Sequence, residues 1–378
     1  MKRSKRILVF MIGQLGDTLT AVPALWVVRR HFAGGEFTLL CDEHPGKDYV
    51  QAVEVLGEGG FFDDYEIYPI KAAEGGTIKK IKGMVRLMQR LRKRRYDVLI
   101  YLAPTTRKAR QRRRDLWFFR AAGIKHLIGI KGYCEWPVKK ANEPLPSIKH
   151  ESDQLLERLA RSGLEIPPEG EGRMDVNITE EEERAVERWQ RELPSDGGRK
   201  WVAIGAGSKM KVKRWPRERY AEVVRRLIEE YDIWPVVFGG REDEQLARSL
   251  AEDWGRGYIA AGRLSVREGI AAMGRCAFYL GNDTGTMHMA VAAGLKCAAV
   301  FSARNPPGLF FPYGEGHKIF RKAVECEGCR LVECEQESMR CILSVTVEEV
   351  HEGCREMLER DIRNISANPG KVLIAGQI

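Results

Sequence analysis

Short apolar strands alternate with helices along the whole chain, and this alternation restricts the fold more than any other feature. The first half carries strands at RILVFMI, EFTLLCD and DVLIYLA, separated by helices near 18–32 and 77–94. The second half repeats the pattern with strands at KWVAIG, WPVVF, GYIAA, AFYLG and KCAAVF. Short Val- and Ile-rich strands between helices are typical of parallel sheets covered on both faces, so the pattern predicts an α/β fold.

The length of the chain predicts two domains. A chain of 378 residues is too long for one ordinary hydrophobic core. The polar, Pro- and Gly-rich stretch PPEGEGR at 167–173 separates the two strand series, so we expect the domains to join near 170–185. The tetrapeptides SVRE (265–268) and TVEE (346–349) are capping boxes, which predict helix starts in the second half.

The balance of hydrophobic and charged residues is typical of a globular protein, and the first half of the chain carries clustered positive charge. Lys and Arg exceed Asp and Glu by 62 − 53 = 9, and the excess is concentrated in 86–97 and 107–115. An anionic membrane surface, a phosphorylated substrate and nucleic acid are partners that suit such a field, and a solvated helix face is the alternative. We see no apolar run of about 18 residues and no signal peptide, so we expect a cytoplasmic protein.

Ligands of doubly wound sheets bind at the carboxyl ends of the strands, so we expect the functional residues in the loops that leave strands. The first such loop, IGQLGDT, partly resembles a dinucleotide fingerprint, with Asp42 placed like a ribose-binding acid. Met11 replaces its first glycine, which disfavours a nicotinamide cofactor. Asp17, at the mouth of this loop, either faces a substrate or caps the following helix.

The loop GAGSKMKVKRWP leaves a strand of the second half and is strongly basic. Its cations are Lys209, Lys211, Lys213 and Arg214. Lysines above exposed backbone N–H groups suit a diphosphate, and the alternative is a solvated basic loop.

The loop GNDTGTMH is the most informative stretch of the chain. Gly281 and Gly285 bracket it at a strand-to-helix corner, where the N–H groups of the helix start and the Thr284 hydroxyl suit phosphate oxygens. His288 follows on the first helical turn. A lone histidine is usually structural, but its place beside a phosphate loop favours a functional role.

Four of the nine cysteines are clustered, at Cys326, Cys329, Cys334 and Cys341. A C-x-x-C pair with two further thiols is able to hold a tetrahedral zinc or iron ion, and such a metal would be structural. Disulfides and free thiols remain open alternatives, although a reducing cytoplasm favours metal over disulfides.

Four stretches, in this order and spacing, resemble glycosyltransferase family 9, the bacterial heptosyltransferases. They are ILVFMIGQLGDTLTAVPAL, KRWPRERYAEVVRRL, VVFGGREDE and LGNDTGTMHMAVAAG. The resemblance covers most of residues 6–360 and is loose over 105–150. It implies a GT-B fold with two Rossmann-like domains facing a central cleft. The implied boundaries are 1–175 for the acceptor domain, 176–345 for the nucleotide-sugar domain, and 346–378 for a C-terminal helix and tail that pack back on the first domain.

The resemblance also implies an inverting transfer from an ADP-heptose donor without a catalytic metal. Asp17 would be the general base that deprotonates the acceptor. Residues that would bind the donor are Gly16, Lys213, Asp243, Asp283, Thr284, Gly285 and His288. The register of Asp243 against its acidic neighbours Glu242 and Glu244 is open.

The acceptor is not specified by the sequence, and the lipid A–Kdo core of lipopolysaccharide is the default. Arg107, Arg110 and Arg112 would bind such an anionic acceptor, with the enzyme peripheral to the inner membrane. A protein or a small molecule as acceptor, and a non-catalytic nucleotide-sugar-binding homologue, are alternatives. Nucleic acid is disfavoured as a partner, because Trp117, Phe118 and Phe119 look like a buried helix face rather than a stacking platform.

Overall fold

The computed structural model describes residues 4–44, 49–69, 76–334 and 338–367. They form two compact units. The first comprises Met1–Val138, Pro146–Glu183 and Gly308–Glu315, and the second comprises Lys139–Leu145, Arg184–Pro307 and Gly316–Ile378.

Five parallel strands form the sheet of the first unit, in the order β3-β2-β1-β4-β5. The strands are β1 (Arg6–Phe10), β2 (Glu36–Asp42), β3 (Asp64–Tyr68), β4 (Val98–Tyr101) and β5 (His126–Ile128). The helices are α1 (Leu15–Thr20), α2 (Val22–His31), α3 (Ala52–Leu56), α4 (Gly76–Arg94), α5 (Ala109–Ala121) and α6 (Glu151–Ala160). The helix α7 (Glu180–Arg191) crosses the boundary between the units.

The sheet of the second unit has six parallel strands, in the order β11-β10-β9-β6-β7-β8. They are β6 (Trp201–Gly205), β7 (Trp234–Val237), β8 (Tyr258–Ile259), β9 (Tyr279–Asn282), β10 (Cys297–Phe301) and β11 (Lys318–Arg321). The helices are α8 (Arg217–Tyr231), α9 (Glu244–Trp254), α10 (Val266–Met273), α11 (Gly285–Ala292), α12 (Arg340–Leu343) and α13 (Val347–Ala367).

The strand order places a topological switch point in each sheet. The chain moves outward from β1 to β2 and β3, and then returns to the other side of β1 with β4. In the second sheet β9 returns beside β6 in the same way. Ligands of doubly wound folds bind at the carboxyl ends of such strands. The loops after β1, β4, β6 and β9 are therefore the places where each unit is able to form a site.

Buried apolar side chains fix the helices on both sheets. In the first unit Phe10 packs against Phe119 of α5, with ring centroids 5.2 Å apart. Val202 and Ile204 of β6 lie in the core of the second unit with Val223 of α8. Strands such as Cys297–Phe301 are buried at every position, which explains why they read as continuous apolar runs and not as alternating ones.

The first unit includes a short segment from late in the sequence, which lies within the predicted second domain, 176–345. Its residues Gly308–Glu315 are held on α6: the Leu309 carbonyl accepts the amide of Glu151 at 2.9 Å, and the Tyr313 hydroxyl donates to Asp153 at 2.7 Å. These long-range hydrogen bonds, and not sequence proximity, place the segment in the first unit.

The predicted helix after residue 346 is α13, which begins at a capping box as expected. Thr346 and Glu349 exchange side chain-to-amide hydrogen bonds of 3.0 and 3.2 Å. The described side chains Val350, Cys354 and Leu358 lie in the core of the second unit, and α13 packs on α8. This part of the helix is thus built into the second unit, whereas we predicted that it packs on the first domain. The predicted tail 368–378 lies outside the described residues.

Candidate functional site

The corner after β1 presents Asp17 from the first turn of α1. Gly13 has a φ of +132°, which favours glycine, and lets the chain leave the strand and begin α1 at Leu15. Asp17 is the third residue of the helix, and its Oδ2 accepts the amide of Gln14 at 2.9 Å. Its side chain thus closes a capping box while it remains half-buried at the carboxyl end of β1.

Two residues that we did not assign to this site hold the peptide of Gly13. Asp42 Oδ1 accepts the Gly13 amide at 3.2 Å, and the Tyr49 hydroxyl donates to the Gly13 carbonyl. A Cβ at Gly13 would lie 2.5–2.7 Å from the Cβ, Cγ and Oδ2 of Asp17. Asp42, placed like a ribose-binding acid in the sequence, therefore braces the corner that carries Asp17.

A second acid of the first unit lies within electrostatic range of Asp17. Glu151, at the start of α6, is fully buried, and its Oε1 accepts the amide and the hydroxyl of Thr105 at 2.8 and 3.0 Å. The pKa of Glu151 is raised to about 7, mainly by burial; Arg158 and the hydrogen bonds from Thr105 oppose this rise, and the negative charge of Asp17 makes a smaller contribution to it. Glu151 is not among the site residues that we predicted from the sequence.

The structure gives Arg107 a different role from the predicted one. Its guanidinium is nearly buried and pairs with Asp115 Oδ2 at 2.5 Å. Asp115 also accepts the Tyr101 hydroxyl at 2.8 Å, so the pair joins the loop after β4 to α5 inside the core. A guanidinium paired in this way has a structural role, and we withdraw Arg107 as an acceptor ligand.

The other two arginines assigned to the acceptor differ from each other. Arg112 donates to the Arg107 carbonyl at 2.6 Å, and its guanidinium lies 4.0 Å from the ring centre of Tyr133. Arg110 is exposed on the first turn of α5. Both arginines keep charge near the carboxyl end of β4.

In the second unit the loops after β6 and β9 meet in an ion pair. Lys213 Nζ lies 2.8 Å from Asp283 Oδ2, and the two side chains are only 13% and 5% exposed. The other lysines of the loop are more exposed and pair elsewhere, Lys209 with Glu242 and Lys211 with Glu333. Of the predicted basic loop, Lys213 is therefore the cation placed at the switch point.

Asn282 makes this arrangement rigid. Its Oδ1 accepts the Trp215 amide at 3.1 Å and the Tyr220 hydroxyl at 2.8 Å, and its Nδ2 donates to the Ala206 carbonyl at 2.7 Å. The fully buried amide thus ties the end of β9 to both sides of the lysine loop. Its role is to position the loop.

Thr284 and Gly285 form the start of α11, as the sequence predicted. Thr284 is the N-cap residue, and its hydroxyl lies 2.8 Å from that of Thr286, which in turn lies 2.9 Å from the Tyr279 hydroxyl. All three residues from Thr284 to Thr286 are half-buried. Amides at a helix start next to an ammonium group are suited to phosphate oxygens.

His288 is buried one turn further along α11. Its pKa is lowered to about 3, first by burial and then by the positive charge of Lys213. The ring is therefore neutral at physiological pH, and its Nδ1 has no hydrogen-bond partner among the described residues. A neutral imidazole beside Lys213 is able to bind through a hydrogen bond but does not add a positive charge.

The structure shows that the side chain of Asp243 contacts different groups from those of its acidic neighbours. Asp243 accepts the Gly240 amide at 3.2 Å, and a Cβ at Gly207 would lie 2.1 Å from its Oδ1. The side chain therefore lies across the loop after β6, while Glu244 faces Arg248 at 2.6 Å. Burial, and secondarily the charge of Glu242, raises the pKa of Asp243.

The predicted metal site at the cysteine cluster is not supported. The cysteines form no disulfide in the described structure, and this includes the four clustered ones, Cys326, Cys329, Cys334 and Cys341. Within the described ranges no three His, Cys, Asp or Glu side chains converge as metal ligands would. Burial raises the pKa of Cys341, with smaller contributions from Cys329 and Cys334, so these thiols are neighbours without forming a ligand set.

Among the described helices, none has the length and apolar character needed to cross a membrane.

Two doubly wound parallel units in one chain, one of them with a lysine and a helix start at its switch point, are the architecture of GT-B glycosyltransferases. The model of glycosyltransferase family 9 (heptosyltransferase) matches residues 84–340, which is more than half of the chain. The chain belongs to this family and is a glycosyltransferase. The resemblance, the fold class and the enzyme class predicted from the sequence are thereby confirmed.

Individual relatives agree with this placement. Lipopolysaccharide heptosyltransferase 1 of Escherichia coli strain K12 is 23% identical over 338 residues, which cover 85% of this chain and 94% of that protein. Among solved structures, a family 9 glycosyltransferase from Veillonella parvula superposes with a TM-score of 0.69 at 20% identity and covers 95% of this chain and 99% of its own. The E. coli heptosyltransferase WaaC with ADP-2-deoxy-2-fluoro heptose gives 0.58 at 18% identity, with 93% and 99% covered.

Proposed function

We propose that the protein is an inverting, metal-independent glycosyltransferase that moves a heptose from ADP-heptose to a hydroxyl of the lipopolysaccharide core. The observation that carries this proposal is the nearly buried Lys213–Asp283 pair beside the start of α11. The names of the relatives support it, since one is a lipopolysaccharide heptosyltransferase and another was solved with an ADP-linked fluoro-heptose.

The second unit supplies the donor half of the proposed reaction. As the bond between the sugar carbon and the phosphate oxygen breaks, the electron pair leaves with ADP and negative charge grows on the diphosphate. Lys213 and the amides at Thr284 and Gly285 would stabilise that charge from fixed positions, which is the most effective form of electrostatic catalysis. Because a lysine supplies the positive charge, this proposal needs no divalent metal.

Three further residues would complete the donor site. Asp283 orients the Lys213 ammonium, which would otherwise sample many rotamers. His288, which is neutral, would offer a ring nitrogen to an oxygen of the donor. Asp243, across the loop after β6, would accept hydrogen bonds from hydroxyl groups of the nucleoside.

The first unit supplies the acceptor half, with Asp17 as the general base. The acceptor hydroxyl would pass its proton to Asp17 while its oxygen forms the bond to the sugar carbon from the face opposite ADP, which inverts the configuration. Bracing of Gly13 by Asp42 and Tyr49 would hold the carboxylate in place. A positioned base of this kind contributes roughly a hundred- to ten-thousand-fold in rate.

We propose the phosphorylated lipid A–Kdo core as the acceptor, with Arg110 and Arg112 as its ligands. Both arginines lie on α5, which begins after the carboxyl end of β4. A cytoplasmic location, peripheral to the inner membrane, goes with this acceptor.

The test combines donor selection with product analysis. A thermal-shift screen of ADP-, UDP- and GDP-sugars is expected to show stabilisation by the ADP-sugars alone. With ADP-heptose and a lipid A–Kdo acceptor, ADP release should require acceptor, persist in EDTA, and give a product of inverted anomeric configuration by NMR. A preference for UDP- or GDP-sugars would overturn the donor assignment, and a retained configuration would overturn the role of Asp17.

A further inference from the structure

A tryptophan stands exposed in the middle of the most basic helix of the chain. Trp117 of α5 is 73% exposed, while its neighbour Phe119 is fully buried. We predicted from the sequence that Trp117, Phe118 and Phe119 share a buried face, and for Trp117 this prediction is wrong. Because successive residues of an α-helix are rotated by about 100°, Trp117 and Phe119 lie about 200° apart, so Phe119 packs on the sheet and Trp117 faces outward.

Arginines surround Trp117 on this outer face of α5. Positions three, four and seven residues away from a helical residue lie on its own side of the helix. Four exposed arginines occupy such positions around Trp117, namely Arg110, Arg113, Arg114 and Arg120. The structure shows Arg114 beside Asp115, whereas Arg110, Arg113 and Arg120 have no ion-pair partner within the described part of the chain.

The neighbouring helix α4 extends this surface with aliphatic and basic side chains. Ile81 and Val85 are 57% and 42% exposed, and Lys82 and Arg86 beside them are exposed as well. Arg92, near the end of α4, donates to the Ala121 carbonyl at the end of α5 at 2.8 Å. This hydrogen bond joins the two helices along their exposed sides.

We infer that this α4–α5 surface docks on the headgroup region of an anionic lipid bilayer, with Trp117 inserted at the interface. Charge complementarity argues for this partner, because cations near an anionic membrane each contribute to binding. The exposed aromatic and aliphatic side chains argue for lipid, since basic helical surfaces with Trp and aliphatic residues bury their apolar groups at the acyl boundary. A single-stranded nucleic acid would need successive aromatic platforms, and this surface offers one exposed aromatic ring.

The inference does not depend on the proposed reaction. Vesicle binding requires neither a donor nor an acceptor, so its failure would leave the proposed heptosyl transfer untouched and would count only against the proposed location at the inner membrane. If both hold, the surface would keep the first unit beside an acceptor that is itself anchored in lipid.

The test is flotation of the full chain with vesicles of phosphatidylethanolamine and phosphatidylglycerol, compared with neutral phosphatidylcholine vesicles. Binding to the anionic vesicles alone, weakened by added salt, is expected. Arg113→Gln together with Arg120→Gln should weaken the partition coefficient roughly 25-fold, about fivefold for each cation. Trp117→Ser should weaken it roughly tenfold. The matched control, Arg188→Gln with Arg191→Gln on α7, removes the same charge from two other exposed arginines and should bind like wild type.

Three results would overturn the inference. Equal loss of binding in the control pair would show that net charge alone is responsible, and equal binding to neutral vesicles would exclude charge recognition. Tight binding of single-stranded DNA without vesicle binding would assign the surface to nucleic acid. All variants change exposed side chains, so we expect their thermal unfolding midpoints to match that of the wild type. An unchanged midpoint will show that each variant is folded.

Discussion

Lys213 and Asp283 form an ion pair of 2.8 Å that joins the loop after β6 to the carboxyl end of β9. The pair is nearly buried. The Asn282 side chain accepts the Trp215 amide and donates to the Ala206 carbonyl, and these two groups lie on either side of Lys213 along the loop after β6. Truncation of one partner therefore does more than remove a surface charge. It would leave the other charge poorly solvated, and truncation of Lys213 would also remove the cation that we assign to the donor diphosphate.

Lys213→Ala is expected to weaken binding of ADP roughly 10- to 100-fold, because a charge-assisted hydrogen bond to phosphate is lost. Isothermal titration calorimetry measures this directly. Lys211→Ala is the matched control, since Lys211 lies on the same loop but is exposed and pairs with Glu333. Equal effects of the two substitutions would mean that the whole basic loop attracts the nucleotide and that Lys213 has no special place.

Gly13→Ala is expected to lower kcat about 100-fold or more, because a methyl group there meets the Asp17 side chain at 2.5–2.7 Å and displacement of a catalytic group by about 1 Å has effects of this size. Gly34→Ala is the control: Gly34 also has a positive φ, of +76°, but a Cβ there meets no atom within 4 Å. Initial rates of ADP release compare the two. If Gly34→Ala is as inactive as Gly13→Ala, backbone strain and not the position of Asp17 is responsible.

Arg107→Ala is expected to destabilise the first unit by up to about 3–5 kcal/mol, since it removes the buried partner of Asp115 and leaves only the exposed Arg114 beside this carboxylate. Arg110→Ala, at an exposed position, should change the unfolding free energy by less than about 0.5 kcal/mol and should instead raise KM for an anionic acceptor. Urea unfolding and acceptor titrations separate the two roles. A stable Arg107→Ala variant with a raised acceptor KM would restore the original assignment.

His288 should make stability depend on pH. The folded protein keeps the imidazole neutral down to about pH 3, whereas the unfolded chain gains a proton below about pH 6.5. The unfolding free energy therefore falls as the pH drops, by about 2 kcal/mol between pH 6.5 and 4.5 from this residue. His288→Asn should remove that part of the slope in urea titrations, and His126→Asn, at an exposed strand position, should keep it. An unchanged slope in His288→Asn would mean that His288 is not desolvated.

Much of the fold could be read from the sequence because its signals are local. Buried parallel strands such as Cys297–Phe301 are continuous apolar runs, and the SVRE capping box marks the start of α10, where the Ser265 hydroxyl accepts the Glu268 amide at 3.2 Å. Helices α5 and α7 were harder, because their dense charges hide the few apolar positions that face the core. The placement of Gly308–Glu315 depends on contacts with α6 more than 150 residues earlier, and no local pattern encodes it.

The site could be predicted from the sequence only where its residues directly follow a strand, because ligands of doubly wound sheets bind at the carboxyl ends of the strands. That rule located Asp17, Lys213 and the start of α11, since each follows a strand directly. It could not identify Asp42 and Tyr49, which reach Gly13 from 29 and 36 residues further along the chain. For Glu151 the sequence carries only a weak signal, since it is an acidic residue at the start of a helix with a buried apolar face.

Two assignments failed because sequence spacing does not show where side chains point. In the sequence Arg107 looks like one more cation of a basic run. In the structure its guanidinium forms an ion pair with Asp115, eight residues later, inside the core. The four clustered cysteines have spacings compatible with a metal, yet in the described structure their thiols do not converge.

The central claim is that Asp17 removes the proton of the acceptor while the second unit binds the donor, and Asp17→Asn tests it most directly. Asparagine keeps an oxygen that is able to accept the Gln14 amide, so the corner should fold. We expect the affinity for ADP, measured by calorimetry, to stay within about twofold of wild type, and kcat to fall roughly 10²- to 10⁴-fold. A kcat within about tenfold of wild type, with the donor affinity intact, would show that Asp17 is not the base and would contradict this account.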